Sequence, residues 1–248
     1  MKKTALLAVA LAACLGYAPA RAADVVSSNI VGYQKLDLDA GAFVMSGIQF
    51  VKVGEDNGTL NDLFTSGDIP FGTEIRFLDS DGVYQIYKYI EEAYDEDADD
   101  FVPGWGDGED YLSGDVNVPG EGFWVKAPSN YKLTQSGEVF PGQTATVTVE
   151  AGIFTMICNP FPVAFNPNDV NWGTGLQYGT EIRVLDDAGV YQFYKYIEEA
   201  YDEDLDDFVP GWGDGEDFIV KAAIADIGQG FWIKSPSKLT LTFSNPAK

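Results

Sequence analysis

Hydrophobic and polar residues alternate along much of this chain. Residues 34–39 place Leu36 and Leu38 on one face and Lys35, Asp37 and Asp39 on the other, the two-residue period of a half-buried strand. Val147 and Val149 repeat that inward pair. Residues 73–78 and 83–90 flank Asp79-Ser80-Asp81-Gly82, which predicts a hairpin whose glycine suits a positive φ. The same turn recurs as Asp186-Asp187-Ala188-Gly189, keeping the glycine while Asp81 becomes Ala188. Residues 122–126 form another strand, entered through Pro119-Gly120, and residues 154–158 read as a buried one. The single helix candidate is 87–100, because Ile86, Tyr89, Ile90 and Ala93 keep helical spacing. Seven of the ten residues 91–100 are acidic, however, and carboxylates favour only the start of a helix. A strand running into an acidic loop is the expectation. Short strands between Gly, Pro, Asn and Asp turns predict an all-β fold.

The pattern occurs twice. Residues 72–111 and 179–218 are identical at 34 of 40 positions, 107 apart. The likeness extends outward: 36–45 aligns with 147–156, and 120–129 with 228–237. The prediction is therefore two tandem β-sandwich or barrel-like units, 23–139 and 140–248, each with a long acidic loop.

The first 22 residues read as a signal peptide. Lys2 and Lys3 precede an apolar run, and Ala20-Arg21-Ala22 offers a cleavage site before Ala23. Leu11-Ala12-Ala13-Cys14 is a rival lipoprotein box, which would leave a lipid on Cys14. Either route predicts export from a bacterium to the cell surface or beyond, with the periplasm or a lipid anchor as alternatives. The apolar run is too short for a membrane span, and no second one follows. Beyond residue 22 the chain keeps 12 basic residues against 39 acidic ones, a net charge of −27. Such a charge disfavours nucleic acid and anionic membranes as partners and favours cations. Cys158 is then the lone thiol, expected as a small core residue; its repeat counterpart is Gly47.

Ser28-Asn29-Ile30-Val31-Gly32-Tyr33, the Ala40-Gly41 turn and Pro119-Gly120-Glu121-Gly122-Phe123-Trp124 resemble the motifs of a loose group of exported bacterial proteins. In that group a similar start precedes two strands about an Ala-Gly turn, and a Gly-Phe-Trp turn closes the unit. The second unit keeps the Ala-Gly and Gly-Phe-Trp parts but lacks the start. The resemblance implies a β-rich, exported, cell-surface protein and transfers no activity and no catalytic residues.

There is no histidine, which removes the usual Ser-His-Asp and Cys-His machinery and most catalytic zinc sites. Paired carboxylates suffice for a glycosidase, but among 39 acids a pair means little. The acidic element is the candidate site. Ten of the twenty residues 91–110 are acidic, and their mutual repulsion falls within a screening length of about 8 Å. Calcium, which accepts oxygen ligands in a flexible shell, would relieve it. The candidate ligands are Asp95, Asp97, Asp99, Asp107 and Asp110, with counterparts Asp202, Asp204, Asp206, Asp214 and Asp217. Asp95, Asp97 and Asp99 have D-x-D-x-D spacing but fail as an EF-hand, with Asp100 at the sixth position and Gly106 at the twelfth. A solvated acidic loop is the competing reading.

Trp105 and Trp212 stand in Pro-Gly-Trp-Gly-Asp-Gly, either as core plugs or as stacking platforms for sugar, with Tyr94 or Tyr201 beside them. Of the neighbours Phe123/Trp124 and Phe231/Trp232, one in each pair should be core. The expectation is thus an exported, non-enzymatic surface or matrix protein that binds calcium through two acidic loops. A bivalent carbohydrate-binding protein is the alternative, and a carboxylate-based glycoside-active enzyme the third. For the nearly uncharged arm 24–33 two readings stand: it folds back on its own unit, as sequential strands usually pair locally, or it adds head to tail to the strand 239–243 of another copy.

Overall fold

The computed structural model describes residues 31–65, 68–106, 108, 111–186 and 188–246. The signal peptide, Cys14 and most of the arm 24–33 lie outside them.

The described residues are all-β apart from one helical turn. The first half of the chain contains β1 (Val31–Leu38), β2 (Phe43–Gly47), β3 (Phe50–Val51), β4 (Gly58–Thr59), α1 (Leu60–Leu63), β5 (Glu74–Leu78), β6 (Tyr84–Asp95), β7 (Asp100–Gly106), β8 (Val116–Asn117), β9 (Gly122–Lys126) and β10 (Tyr131–Val139). The second half of the chain contains β11 (Thr144–Val149), β12 (Phe154–Ile157), β13 (Glu181–Leu185), β14 (Tyr191–Asp202), β15 (Asp207–Gly213), β16 (Phe231–Lys234) and β17 (Leu239–Ser244). Each half builds a five-stranded antiparallel sheet with equivalent strands in the same order, β2-β9-β5-β6-β7 and β12-β16-β13-β14-β15. Smaller sheets accompany them: β1-β10-β3 and β4-β8 in the first half and β11-β17 in the second. Among the described residues no sheet closes into a barrel.

Alternation places the cores. Leu36 and Leu38 of β1 join Ile75, Tyr87, Phe123 and Leu133 in one buried cluster, so the β1-β10-β3 sheet and the five-stranded sheet of the first half share it. Val149, Ile182, Phe231 and Leu241 make the corresponding cluster in the second. The predicted turn glycines, Gly82 and Gly189, have φ of 78° and 75°. Asp79 and Asp186 close these turns by accepting from backbone N–H groups, Val83 and Val190 respectively at 2.8 Å. Those bonds hold both carboxyls below the usual aspartate range.

The helix candidate is β6, and its acidic continuation is a tight hairpin rather than a long loop. β6 runs to Asp95 and β7 begins at Asp100, leaving only residues 96–99 as the turn. Ile90 pairs with Gly104 and Ala93 with Val102, so Glu91 and Glu92 together oppose Pro103. This is a β-bulge placed where proline has no N–H to give the ladder. Glu198 and Glu199 oppose Pro210 in the same way.

The two halves meet through their repeat counterparts. A side-chain carbon on Gly47 would fall 2.2 Å from Cβ and Sγ of Cys158. One on Gly122 would meet Met156 at 2.6 Å, and one on its counterpart Gly230 would meet Met45, the counterpart of Met156, at 2.9 Å. Residue i touching j while j's equivalent touches i's equivalent is an isologous, two-fold-like contact. Hydrogen bonds tie it: Cys158 N–H donates to Gly120 O at 2.9 Å, Gln49 Nε2 to Asn159 O and Phe161 O at 3.1 and 3.0 Å, and Ser46 Oγ to Gly228 O at 3.0 Å. Cys158 is fully buried, and burial pushes its thiol well above the ordinary range. The join inside the chain is therefore not a head-to-tail strand addition. β17 pairs with β11 of its own half, and the described end of the arm, Val31 to Tyr33, pairs with Glu138 to Ser136.

Candidate functional site

The acidic tips are built by local chemistry. At the first, Asp95 Oδ1 accepts from Asp97 N–H at 3.0 Å and Ala98 N–H at 3.2 Å. Asp99 adopts φ 52°, a left-handed conformation that Asp tolerates better than most residues. Its carboxylate accepts from the Tyr94 hydroxyl, a bond that raises the phenol above its usual range. The second tip repeats the design: Asp202 Oδ1 accepts from Asp204 N–H at 2.9 Å, Asp206 has φ 54°, and Tyr201 donates to it at 2.6 Å. D-x-D-x-D spacing thus serves turn geometry at both tips. Among the described residues, no three acidic or thiol side chains converge closely enough to hold a metal ion.

Of the expected ligands, Asp95, Asp97 and Asp99 share the first tip, and Asp202, Asp204 and Asp206 the second. Asp214 and Asp217 belong to a separate turn. Asp214 Oδ1 accepts from Glu216 and Phe218 N–H at 2.9 and 3.0 Å, and Asp217 has φ 62°. Asp107 and Asp110 lie outside the described residues.

The tips differ in one respect. At the second, Lys221 Nζ reaches Asp202 Oδ1 at 2.6 Å and also contacts Asp204 Oδ2. These contacts lower the Asp202 carboxyl and raise the ammonium. Gly114 stands at the matching position of the first unit, so Asp95 and Asp97 lack that partner. The first tip instead borders an open groove of about 680 Å³, lined by Asp95, Glu96 and Asp97 with Asp62, Tyr111 and Gly114. Asp62 is committed to its helix, accepting from Thr59 N–H at 3.0 Å in a capping box. Lys221 falls three residues beyond the near-identical stretch, which is where comparison of the copies could have found it.

Of the two readings the sequence left open for Trp105 and Trp212, core plug and sugar platform, the structure shows the first. Trp105 is 0% and Trp212 2% exposed. Trp105 packs edge-on to Phe64 and Tyr89 at 5.9 and 5.6 Å, and Trp212 lies 4.8 Å from Trp172 and 5.6 Å from Tyr196. Neither ring offers a face to a sugar. Asn61 fixes the strand beside Trp105, accepting from its N–H at 2.8 Å and donating to its carbonyl at 3.2 Å. Phe123 and Phe231 fill the core and turn Trp124 and Trp232 to the opposite face.

No protein-family model, curated protein or solved structure matches the chain. Among the described residues, no helix is long and apolar enough to cross a membrane.

Proposed function

We propose that the chain is an exported, non-enzymatic protein of the cell surface or extracellular matrix whose first acidic tip takes a calcium ion. The observation that supports this is the asymmetry of the tips. Asp202 and Asp204 hold a lysine ammonium; the equivalent Asp95 and Asp97 face a groove with glycine in its place. The same carboxylate pair is compensated from within in one unit and awaits an outside cation in the other. Calcium suits such a site, because it accepts six to eight oxygens without rigid geometry and tolerates several waters among them. The exposed side chains of the tip can turn toward it at small cost. Catalysis receives no support from a groove whose charged lining is carboxylate alone in a chain without histidine, and sugar stacking receives none from two buried indoles.

Thermal unfolding with calcium, magnesium and sodium tests the reading. A ligand bound only by the folded state at 100 times its dissociation constant stabilises by about 2.7 kcal/mol. Calcium should raise the melting temperature more than magnesium, which sheds water reluctantly. Asp95→Asn with Asp97→Asn should remove the difference, and Asp202→Asn with Asp204→Asn should leave it. Equal small shifts from all three cations would mean simple screening and no site.

A further inference from the structure

The basic residues of this acidic chain are not scattered. Arg76, Lys88 and Lys126 fall on one face of the first five-stranded sheet, and Arg183, Lys195 and Lys234 on the same face of the second, as the strand registers require. These are six of the 12 cations beyond residue 22. Four of them flank aromatic rings on the side away from the core. Arg76 and Lys126 sit 4.7 and 4.8 Å from the centre of the Phe43 ring, which meets Trp124 edge-on at 6.1 Å. In the second half, Arg183 and Lys234 lie 4.3 and 5.1 Å from Phe154, which meets Trp232 at 6.3 Å. That face also holds a shallow pocket of about 220 Å³. Beside these cations, Glu74 pairs with Arg76, and Glu181 with Arg183 and with Lys195 at 3.9 Å.

The hairpin tips are the complement. Each presents clustered carboxylates together with an exposed phenylalanine, Phe101 at 59% and Phe208 at 61%. We infer that the aromatic, cationic sheet faces receive the acidic, phenylalanine-bearing hairpin tips of a second copy of this chain. The inference rests on the structural role proposed above. Charge and apolar surface match at the same contact: Phe101 against the Phe43 and Trp124 rings, tip carboxylates against the flanking ammonium groups. Tip-on-face is a heterologous contact, unlike the closed two-fold-like one within the chain, and such contacts propagate rather than close unless the rotation makes a ring. Two tips and two faces per chain supply the valency for an extended array, each contact being weak by itself.

Light scattering of the mature chain in EDTA separates this from the calcium reading, since metal is then absent. At about 0.15 M salt, where screening extends about 8 Å, mass should rise between about 10 and about 500 µM protein, the range of a weak contact. Lys126→Glu with Lys234→Glu should weaken association at least tenfold, and so should Glu96→Lys with Glu203→Lys, substitutions at exposed tip positions. Mixing the two charge-swapped chains should restore it, a result misfolding could not produce. A monomer throughout that range, or variants that associate like the parent, would overturn the inference. So would capture of alginate by the parent and not the lysine variant without self-association, which would assign the face to a foreign polyanion.

Discussion

Glu121→Gln should stabilise this protein at neutral pH and do nothing in acid. Glu121 stands where the halves meet, at a cavity of about 340 Å³ whose lining includes Asp79 and Glu150 but no basic side chain. Asp115 borders it on the other side, and the Cys158 thiol is neutral. Removal from water is the main cause that pushes the Glu121 carboxyl up to about 7 from the ordinary 4.5, and the Val118 N–H that donates to it only partly opposes this. The repeat supplies the neutral analogue. Gln229, its counterpart, accepts from Asp226 N–H at 2.9 Å with one atom and donates to Leu185 O at 2.6 Å with the other. A protonated Glu121 has the same acceptor and donor to offer; an ionised one has only acceptors. The folded state therefore holds the proton longer than the unfolded chain. Stability from this group is complete below about pH 4.5, falls as pH rises, and is fully lost above about 7. At about 1.4 kcal/mol per pH unit, discounted for the partly open cavity, the loss is roughly 2–3 kcal/mol. Urea unfolding of both chains from pH 4.5 to 8 measures it, and the difference between them cancels the titration of distant acids. The curves should converge in acid and separate through the window, with glutamine the more stable. A constant offset, or a glutamine chain less stable at pH 8, would refute the reasoning.

Two other substitutions probe the frame. Gly47→Ala puts a carbon 2.2 Å from Cys158, so the halves must separate locally; overpacking of this kind costs about 1–3 kcal/mol, read as a lower urea midpoint. Trp105→Ala empties the centre of the first core, and a loss of about 3–5 kcal/mol is expected; an unchanged midpoint would mean that the indole is not buried.

Alternation at Leu36 and Leu38, and a glycine at each predicted hairpin turn, made the strands and turns legible without coordinates. The segment around Ile86, Tyr89, Ile90 and Ala93 mimicked a helix because the bulge at Glu91 and Glu92 interrupts the two-residue period. The acidic stretch looked like a long loop because composition does not reveal that strand pairing continues through carboxylates, held by Tyr94 against Phe101 at 5.3 Å. Trp105 was ambiguous because glycines on both sides suit a loop as well as a strand; what buries it is Phe64, far along the chain. The inter-half contact was hidden for a related reason. Gly47 and Cys158 were visibly counterparts, but nothing local says that counterparts touch.

Titration calorimetry of the parent chain beside Lys221→Met, in the same buffer, counts the calcium ions each binds. The parent should bind one calcium per chain, at the tip that lacks an internal ammonium. Lys221→Met, which frees Asp202 and Asp204, should bind two. No calcium-specific heat in either chain, or two ions already bound by the parent, would contradict the account.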